Sequence, residues 1–189
     1  MAELKQRKCK ACKTPFTPAR STQTACGIDC AMQLAHEKKV KVAECDRLDT
    51  VRKDRARKER LKTRRDWEKE AQAAFNAWVR LRDADKPCIS CGRRHEGQYH
   101  AGHYLSVGAR PELRYEPLNV WKQCAPCNTH LSGNAVLFRQ ALVREIGLDR
   151  VEWLEGPHPA RKYTADDLKA IRDEYRKKMR DLVKDRANV

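Results

Sequence analysis

The sequence has no long hydrophobic run, and this absence bears on where the protein resides. No segment approaches the roughly 18 consecutive apolar residues that a membrane-spanning helix needs, so we expect no membrane partner. The first ten residues, MAELKQRKCK, are polar and basic, whereas a secretory signal has an apolar centre. We therefore predict a cytoplasmic protein, in which a framework of disulfides is not expected.

Glycine and proline are both absent from residues 28 to 86. A stretch without them that is rich in Ala, Lys, Arg, Glu and Gln predicts helix, broken at most once or twice. Between residues 52 and 69 the apolar side chains are Ala56, Leu61 and Trp67, which form no continuous stripe for packing against a core. Such a helix is solvated, spans the solvent between domains or follows a phosphate backbone, and one strand of a coiled coil is a further alternative.

Acidic residues are too few to balance the basic ones. The chain has 41 Lys and Arg against 26 Asp and Glu, a formal net charge of +15 and a pI near 9.6. This charge indicates a polyanionic partner, which we take to be nucleic acid, with a merely basic protein as the alternative. Charge alone does not separate DNA from RNA, or a protein that cuts from one that holds.

Other stretches carry the apolar patterns of packed helices. Residues 71–81 contain Ala, Phe, Trp, Val and Leu at helical spacing, which predicts a face that packs on a small domain. A helix is predicted over residues 135–146, ended by Gly147 in the usual C-terminal glycine position. Thr164 and Asp167 have the spacing of a capping box, which predicts the start of a last helix.

Nine cysteines are many for a chain of 189 residues, and eight of them fall into close pairs. Paired cysteines in a cytosolic protein favour metal binding, and zinc takes four thiolates in a tetrahedron. The first set has little apolar material around it, so its folding is expected to depend on metal. Cys45 is left over as an ordinary helix residue. The two predicted structural zinc sites are Cys9, Cys12, Cys26 and Cys30, and then Cys88, Cys91, Cys124 and Cys127.

The second cysteine set encloses residues 92–123, which is enough chain for a β-hairpin. The segment QYHAGHYLSV, with His100 and His103, predicts one strand, and LNVWKQ predicts the returning strand. Asn128 and His130 follow the last thiolates. The stretch therefore collects histidine and asparagine side chains inside a zinc-bound frame.

These residue types suit the hydrolysis of a phosphodiester. The reaction needs an activated water, a cation to absorb charge and groups that hold the backbone. His103 is the candidate base, because a neutral imidazole near pH 7 can accept the proton. Asn128 is the candidate oxygen ligand for Mg²⁺ or Mn²⁺, with His100 or His130 nearby. The candidate DNA contacts are Arg110, Arg114, Lys122, His130, Arg64 and Arg65.

The same stretch resembles the zinc-stapled branch of the HNH (ββα-metal) endonucleases. Asn119 lies five residues before Cys124, and Asn128 directly follows Cys127, as in the pattern of that family. The resemblance implies that His103 is the general base, that Asn119 orients the loop and the histidine, and that Asn128 binds the catalytic metal.

The chain departs from that family at Gly102, where an acidic residue or histidine usually precedes the base as a metal ligand. His100 is the nearest substitute, and the resemblance makes it a second candidate ligand of the catalytic metal. Residues three apart on a regular strand face opposite sides. We therefore expect a β-bulge at Gly102 that turns His100 and His103 to the same side.

A closer resemblance covers most of the chain. The segments AGHY, LRYEPLNVWKQCAPCN and HLSGN together resemble the lambdoid phage NinG (Rap) recombination family, and the cysteine knuckle, charged helix and C-terminal helix fit it as well. This resemblance implies a structure-selective DNA endonuclease that acts in the host cytoplasm on Holliday junctions and D-loops. A non-catalytic zinc protein that binds DNA in recombination or regulation, and a sequence-specific HNH nicking enzyme, are the alternatives.

The predicted fold is α+β and mostly helical, with a small zinc-stapled ββα-metal core. The predicted segments are a zinc knuckle (1–35), a long basic helix (36–86), the nuclease core (87–148) and a C-terminal helical segment (149–189). The predicted partners are branched or duplex DNA and further recombination proteins. A homodimer is expected as well, because a junction is nearly two-fold symmetric and cutting opposing strands needs two active sites.

Overall fold

The structure is a computed structural model that describes residues 5–187. The chain divides after Leu61 into two compact units, and the second begins at Lys62. The division into four segments stays a prediction, and the outermost residues of the first and last segments, 1–4 and 188–189, lie outside the described part of the chain.

The first unit contains a small knuckle that has almost no apolar core. Strands β1 (Arg7–Lys8) and β2 (Pro15–Phe16) form an antiparallel hairpin, and Lys13 takes a left-handed conformation with a φ of 61° to close the turn. The amide of Lys13 donates to the carbonyl of Cys9 at 3.0 Å. Too few apolar side chains surround this turn to hold it, so we expect its stability to depend on a bound metal ion.

Helix α1 (Ile28–Arg60) follows the knuckle, and none of its residues is buried. Its last turn carries Arg57, Lys58 and Arg60, and positive charge there is favourable next to the carbonyl end of a helix. Helix α2 (Arg64–Arg82) begins after a single break. The helical prediction for residues 28–86, with one or two breaks, is thus confirmed up to Arg82.

A capping box starts helix α2. The amide of Asp66 donates to the hydroxyl of Thr63, while the amide of Thr63 donates to the carboxylate of Asp66. Reciprocal bonds of this kind satisfy amides that have no partner inside the helix. From Trp67 onward one face of α2 is buried, as the apolar spacing of residues 71–81 predicts.

Helices α2 and α5 (Ala165–Ala187) pack against each other in the second unit. Phe75 is fully buried between Tyr175, whose ring centroid is 4.7 Å away, and Tyr115 at 5.7 Å, both in edge contact. The predicted capping box of α5 is present, with the amide of Asp167 bonded to the hydroxyl of Thr164.

A hairpin of β3 (Tyr99–His103) and β4 (Val120–Cys124) lies between two apolar clusters. A 3₁₀ turn (Pro111–Leu113) interrupts the loop that joins the strands. Val120 points into the α2–α5 cluster, while Trp121 belongs to a second cluster formed with the next helices.

The second cluster is covered by α3 (Ala135–Ile146) and α4 (Leu148–Glu155). Before them, Pro126–His130 form a single π-helical turn. The bounds predicted for α3 are confirmed, and Gly147, with a φ of 86°, ends the helix as expected.

The mostly helical α+β class is confirmed, with two small antiparallel sheets among the described residues. No helix within residues 5–187 combines the length and the apolar character needed to cross a bilayer.

Phe75→Ala should lower the free energy of unfolding of the second unit by about 3–5 kcal/mol, because it removes a fully buried ring and leaves a cavity between two tyrosines. Urea denaturation of the zinc-loaded protein measures the change. Val136→Ala, at a residue that is 70% exposed, is the control and should change stability by less than about 0.5 kcal/mol. Equal effects of both substitutions would contradict this description of the core.

Candidate functional site

Each of the two cysteine sets converges in space. In both, the four Sγ atoms lie within 4.8 Å of one another. The Sγ–Sγ distance is 3.6 Å between Cys12 and Cys26 and 4.0 Å between Cys91 and Cys124. Four sulfurs at 2.3 Å from one zinc would be about 3.8 Å apart, so both sets could hold a zinc ion.

The second set joins the end of the hairpin to the π-helical turn. Cys124 is the last residue of β4, and Cys127 lies within Pro126–His130. The amide of Cys124 also donates to the Sγ of Cys88 at 3.4 Å, a contact that favours the thiolate form. Asn128 directly follows Cys127 and is therefore placed next to the hairpin.

Asn119 is fully buried and fixes the loop that follows β3. Its Oδ1 accepts from the amide of Leu105 at 2.8 Å, and its Nδ2 donates to the carbonyls of Leu105 and Leu113 at 3.0 and 3.2 Å. Its own carbonyl accepts from the amide of Tyr104, the residue after His103. These contacts are those of a residue that orients the loop, and its part in catalysis stays a prediction.

The ring of His103 is held by a backbone carbonyl. Its Nε2 lies 3.0 Å from the carbonyl oxygen of Arg114. Because a carbonyl can only accept, Nε2 carries the proton and Nδ1 keeps its lone pair. Burial of the ring lowers the pKa of His103 below its usual range; the hydrogen bond to that carbonyl opposes this, and the charge of Arg114 adds to it. The side chain is therefore a neutral imidazole with an available Nδ1.

The predicted β-bulge at Gly102 is wrong. Strands β3 and β4 pair without interruption, with Ala101 opposite Lys122 and Gly102 opposite Trp121. A regular strand alternates its side chains, so His100 and Gly102 share one face and His103 lies on the other. The continuous ladder keeps the two histidines apart.

His100 contacts Asn128 on its own face of the hairpin. Nδ2 of Asn128 donates to Nδ1 of His100 at 2.9 Å. A neutral imidazole that accepts at Nδ1 carries its proton on Nε2, which leaves no lone pair for a metal. This arrangement does not support His100 as a direct metal ligand and makes it a support for Asn128.

Gln123, which the sequence reasoning missed, lies directly opposite His100 in the ladder and is fully buried. Its Nε2 donates to Ser90 Oγ at 2.6 Å and to the carbonyl of Gly133 at 2.5 Å. No group within residues 5–187 donates to its Oε1, and an unsatisfied buried oxygen costs about 1–3 kcal/mol. The signal in the sequence was a glutamine inside the predicted strand LNVWKQ, directly before the cysteine that follows it.

Gly102 is the residue against which this oxygen rests. A Cβ at position 102 would lie 2.1 Å from Oε1 of Gln123 and 3.0 Å from Oδ1 of Asn128. Glycine is therefore required here by close approach of other side chains and not by its backbone angles. Two amide oxygens meet beside the residue that precedes His103.

Three of the predicted DNA contacts are used within the fold. The structure does not support a phosphate contact by Lys122, since the residue is buried and its ammonium donates to the carbonyl of Ala84 at 2.7 Å. Burial also lowers the pKa of Lys122. Arg114 pairs with Glu68 of α2, and Arg110 pairs with Glu112 at 2.6 Å.

The other three candidates remain on the surface. Arg65 and His130 are exposed. Arg64 pairs with Glu68 at 3.0 Å, yet its side chain is 60% exposed. These residues stay candidate DNA contacts. They are not brought together with the histidines of the hairpin by any contact that the structure describes within residues 5–187.

The chain matches a family model described as Bacteriophage Lambda NinG protein over residues 1–185. It is 41% identical to Protein ninG of Escherichia phage 933W over 200 residues, covering all of both chains. It is 40% identical to Protein ninG of Salmonella phage P22 over 96% of each chain, and 40% identical to that of Escherichia phage lambda over all of this chain and 99% of the other. No solved structure matches it.

Cys127→Ser should lower the zinc content from about two ions per chain to about one, because a tetrahedral site needs its four thiolates. Elemental analysis of the purified protein measures the ratio. Cys45→Ser is the matched control, since Cys45 is exposed and belongs to neither set, and it should retain both ions. Two zinc ions in the Cys127→Ser protein would contradict the assignment.

Proposed function

The chain belongs to the NinG family of bacteriophage proteins, and from this premise we propose that it is a metal-dependent DNA endonuclease that cleaves branched recombination intermediates such as Holliday junctions and D-loops. The observation that carries the proposal is the state of His103. A neutral imidazole, held at Nε2 by a carbonyl and available at Nδ1, is the form that a general base requires. Its neighbour Gly102 borders two amide oxygens.

The residues of the site divide the chemistry between them. His103 takes a proton from the attacking water at Nδ1, and Asn119 keeps the loop behind it in place through its three hydrogen bonds. The carbonyl of Arg114 stabilises the imidazolium that results, because the proton on Nε2 then faces an oxygen. This division of roles resembles that of the zinc-stapled HNH endonucleases. That the core has the ββα-metal fold of those enzymes is part of the same proposal.

The donor set beside Gly102 fits Mg²⁺ or Mn²⁺. Both are hard cations that prefer oxygen ligands and retain several waters, and Asn128 would hold the ion through Oδ1. Such an ion supplies a positive charge that stabilises the phosphate and the leaving oxygen. His100 keeps the Asn128 amide oriented by accepting from Nδ2.

DNA is proposed as the partner because of the charge. The net charge of +15 and the exposed side chains of Arg64, Arg65 and His130 suit a phosphate backbone. The preference for branched DNA rests on the resemblance to the recombination family. A homodimer, contacts with recombination proteins and a place in the host cytoplasm stay predictions.

A non-catalytic zinc protein that binds DNA is the second candidate. It is favoured by α1, which is 33 residues long, rich in charged residues and without a buried residue, and which could follow a phosphate backbone without any chemistry. The two candidates differ in whether the protein cleaves DNA, and in whether removal of a site residue abolishes cleavage while DNA binding is kept.

His103→Ala should lower cleavage of a labelled four-way junction in Mg²⁺ by about 10²–10⁴-fold, because it removes the general base. Binding of the same junction, measured by gel shift without metal, should be unchanged. His158→Ala is the control, since His158 lies in the loop after α4 and bonds the carbonyl of Trp153, and it should cut like wild type.

The same assay includes a linear duplex of identical sequence. Cutting of the junction alone supports the branched substrate, whereas a single cut in the linear duplex indicates a sequence-specific nicking enzyme. Tight binding without any cutting by the wild type would establish the non-catalytic alternative. An equal loss of binding and cleavage in His103→Ala would make His103 structural.

Cleavage should persist to a lower pH than an ordinary histidine base permits. The pKa of His103 is lowered by burial from its usual value of about 6.5, and the base is lost when the pH falls through the lowered value. The acid limb of the cleavage rate should therefore lie below about pH 6.5. Zinc content is measured at each pH as the control. If the cleavage rate falls already above about pH 6.5 while zinc is retained, His103 is excluded as the base.

A further inference from the structure

The orientation of the Gln123 amide is determined by its neighbours. The carbonyl of Gly133 lies 2.5 Å from Nε2, and a carbonyl can face only the donor end of an amide. Ser90 Oγ accepts from the same nitrogen at 2.6 Å. Oε1 therefore has to point the other way, toward Gly102, where no described group donates to it.

The Asn128 amide has its nitrogen toward His100 and its oxygen toward Gly102. Nδ2 of Asn128 faces Nδ1 of His100 at 2.9 Å, so Oδ1 faces the opposite side and borders the same position beside Gly102. Two carbonyl oxygens thus border one position, 2.1 and 3.0 Å from where a Cβ of residue 102 would lie, and the buried one has no donor among residues 5–187. Two acceptors satisfy each other only through a third group, either a cation or a water.

We propose that Gln123 Oε1 and Asn128 Oδ1 bind the same divalent cation, so that Gln123 is a metal ligand and His100 a positioning residue. The inference rests on the proposed function, because it concerns the ion of that site. The second protein ligand is then Gln123 of β4, whereas the sequence led us to expect His100 of β3.

The chemistry of the pair favours Mg²⁺ or Mn²⁺ over zinc. Both ligands are neutral amide oxygens, whereas zinc prefers thiolate and imidazole and has two sets of four thiolates in this chain. Two protein oxygens leave the other coordination positions to water and to a phosphate of the substrate. Asn128 is half-buried, whereas Gln123 is fully buried.

Gly102 makes this arrangement possible. A Cβ at that position would lie 2.1 Å from Oε1, so any other side chain would displace the Gln123 amide. Conversely, removing the Gln123 side chain would open room for a carboxylate at position 102. An aspartate at position 102 on β3 could then replace Gln123 of β4 as the metal ligand. If Gln123 were purely structural, this exchange would not restore metal binding.

The test is Mn²⁺ binding to the zinc-loaded, full-length protein without DNA, followed by the EPR signal of free Mn²⁺. Gln123→Ala should weaken binding by at least about tenfold. The double variant Gln123→Ala with Gly102→Asp should restore it, because the carboxylate occupies the space that the amide left. Gln140→Ala, at an exposed glutamine of α3, is the matched control and should bind like wild type.

Pulsed EPR of Mn²⁺ on the wild type needs no variant and keeps the test decisive if Gln123→Ala does not fold. The expected spectrum has no directly bound imidazole nitrogen. Such a nitrogen would overturn the inference, since it would mean that the Asn128 amide is reversed, donates to Oε1 and frees His100 as the ligand. Wild-type affinity in a folded, zinc-loaded Gln123→Ala protein would overturn it as well and point to a bridging water.

Junction cleavage by the same samples separates this inference from the function on which it rests. Wild type that cuts the junction, together with unchanged Mn²⁺ affinity in Gln123→Ala, would overturn the ligand and leave the endonuclease in place. Wild type that neither binds Mn²⁺ nor cuts would overturn both. Loss of Mn²⁺ affinity in Gln123→Ala and its return in the double variant would support the ligand.

Discussion

The second set of four thiolates is the constraint on which the site depends. It includes the last residue of β4 and a residue of the π-helical turn, so an ion held by these thiolates would tie the two segments together. Cys127 is followed at once by Asn128, so a metal ion bound by this set would help to fix where that amide lies. Metal binding of this kind is coupled to folding, and here we expect it to be coupled to the orientation of the site as well.

The parts of the structure that were predictable from sequence are those set by local chemistry. Cysteine spacing identified both clusters, the Thr164 capping box located the start of α5, and Gly147 located the end of α3. Each rests on residues close together in the chain, so the pattern and its physical cause can be read together. The hairpin that carries His103 was predictable for the same reason.

The parts that were not predictable depend on contacts between distant segments. Lys122 carries a charge that indicates a phosphate contact, yet its ammonium is buried against a carbonyl some forty residues earlier in the chain. Arg114 pairs with Glu68 of α2, which no spacing rule connects. The bulge at Gly102 was inferred to bring two histidines together, whereas the glycine accommodates the Gln123 amide from the opposite strand.

The unbroken ladder divides the site into two halves with separate supports. The face of Gly102 is organised by the thiolate cluster and the amides of Gln123 and Asn128. On the other face His103, the proposed base, is held by the carbonyl of Arg114, whose side chain is anchored to Glu68 on α2. Helix α2 therefore helps to position the proposed base, although its residues were assigned from the sequence to the long basic helical segment 36–86. Among the hydrogen bonds described within residues 5–187, none joins the side chains of the two supports, so we expect the pKa of His103 and the affinity of the other face for a cation to vary independently.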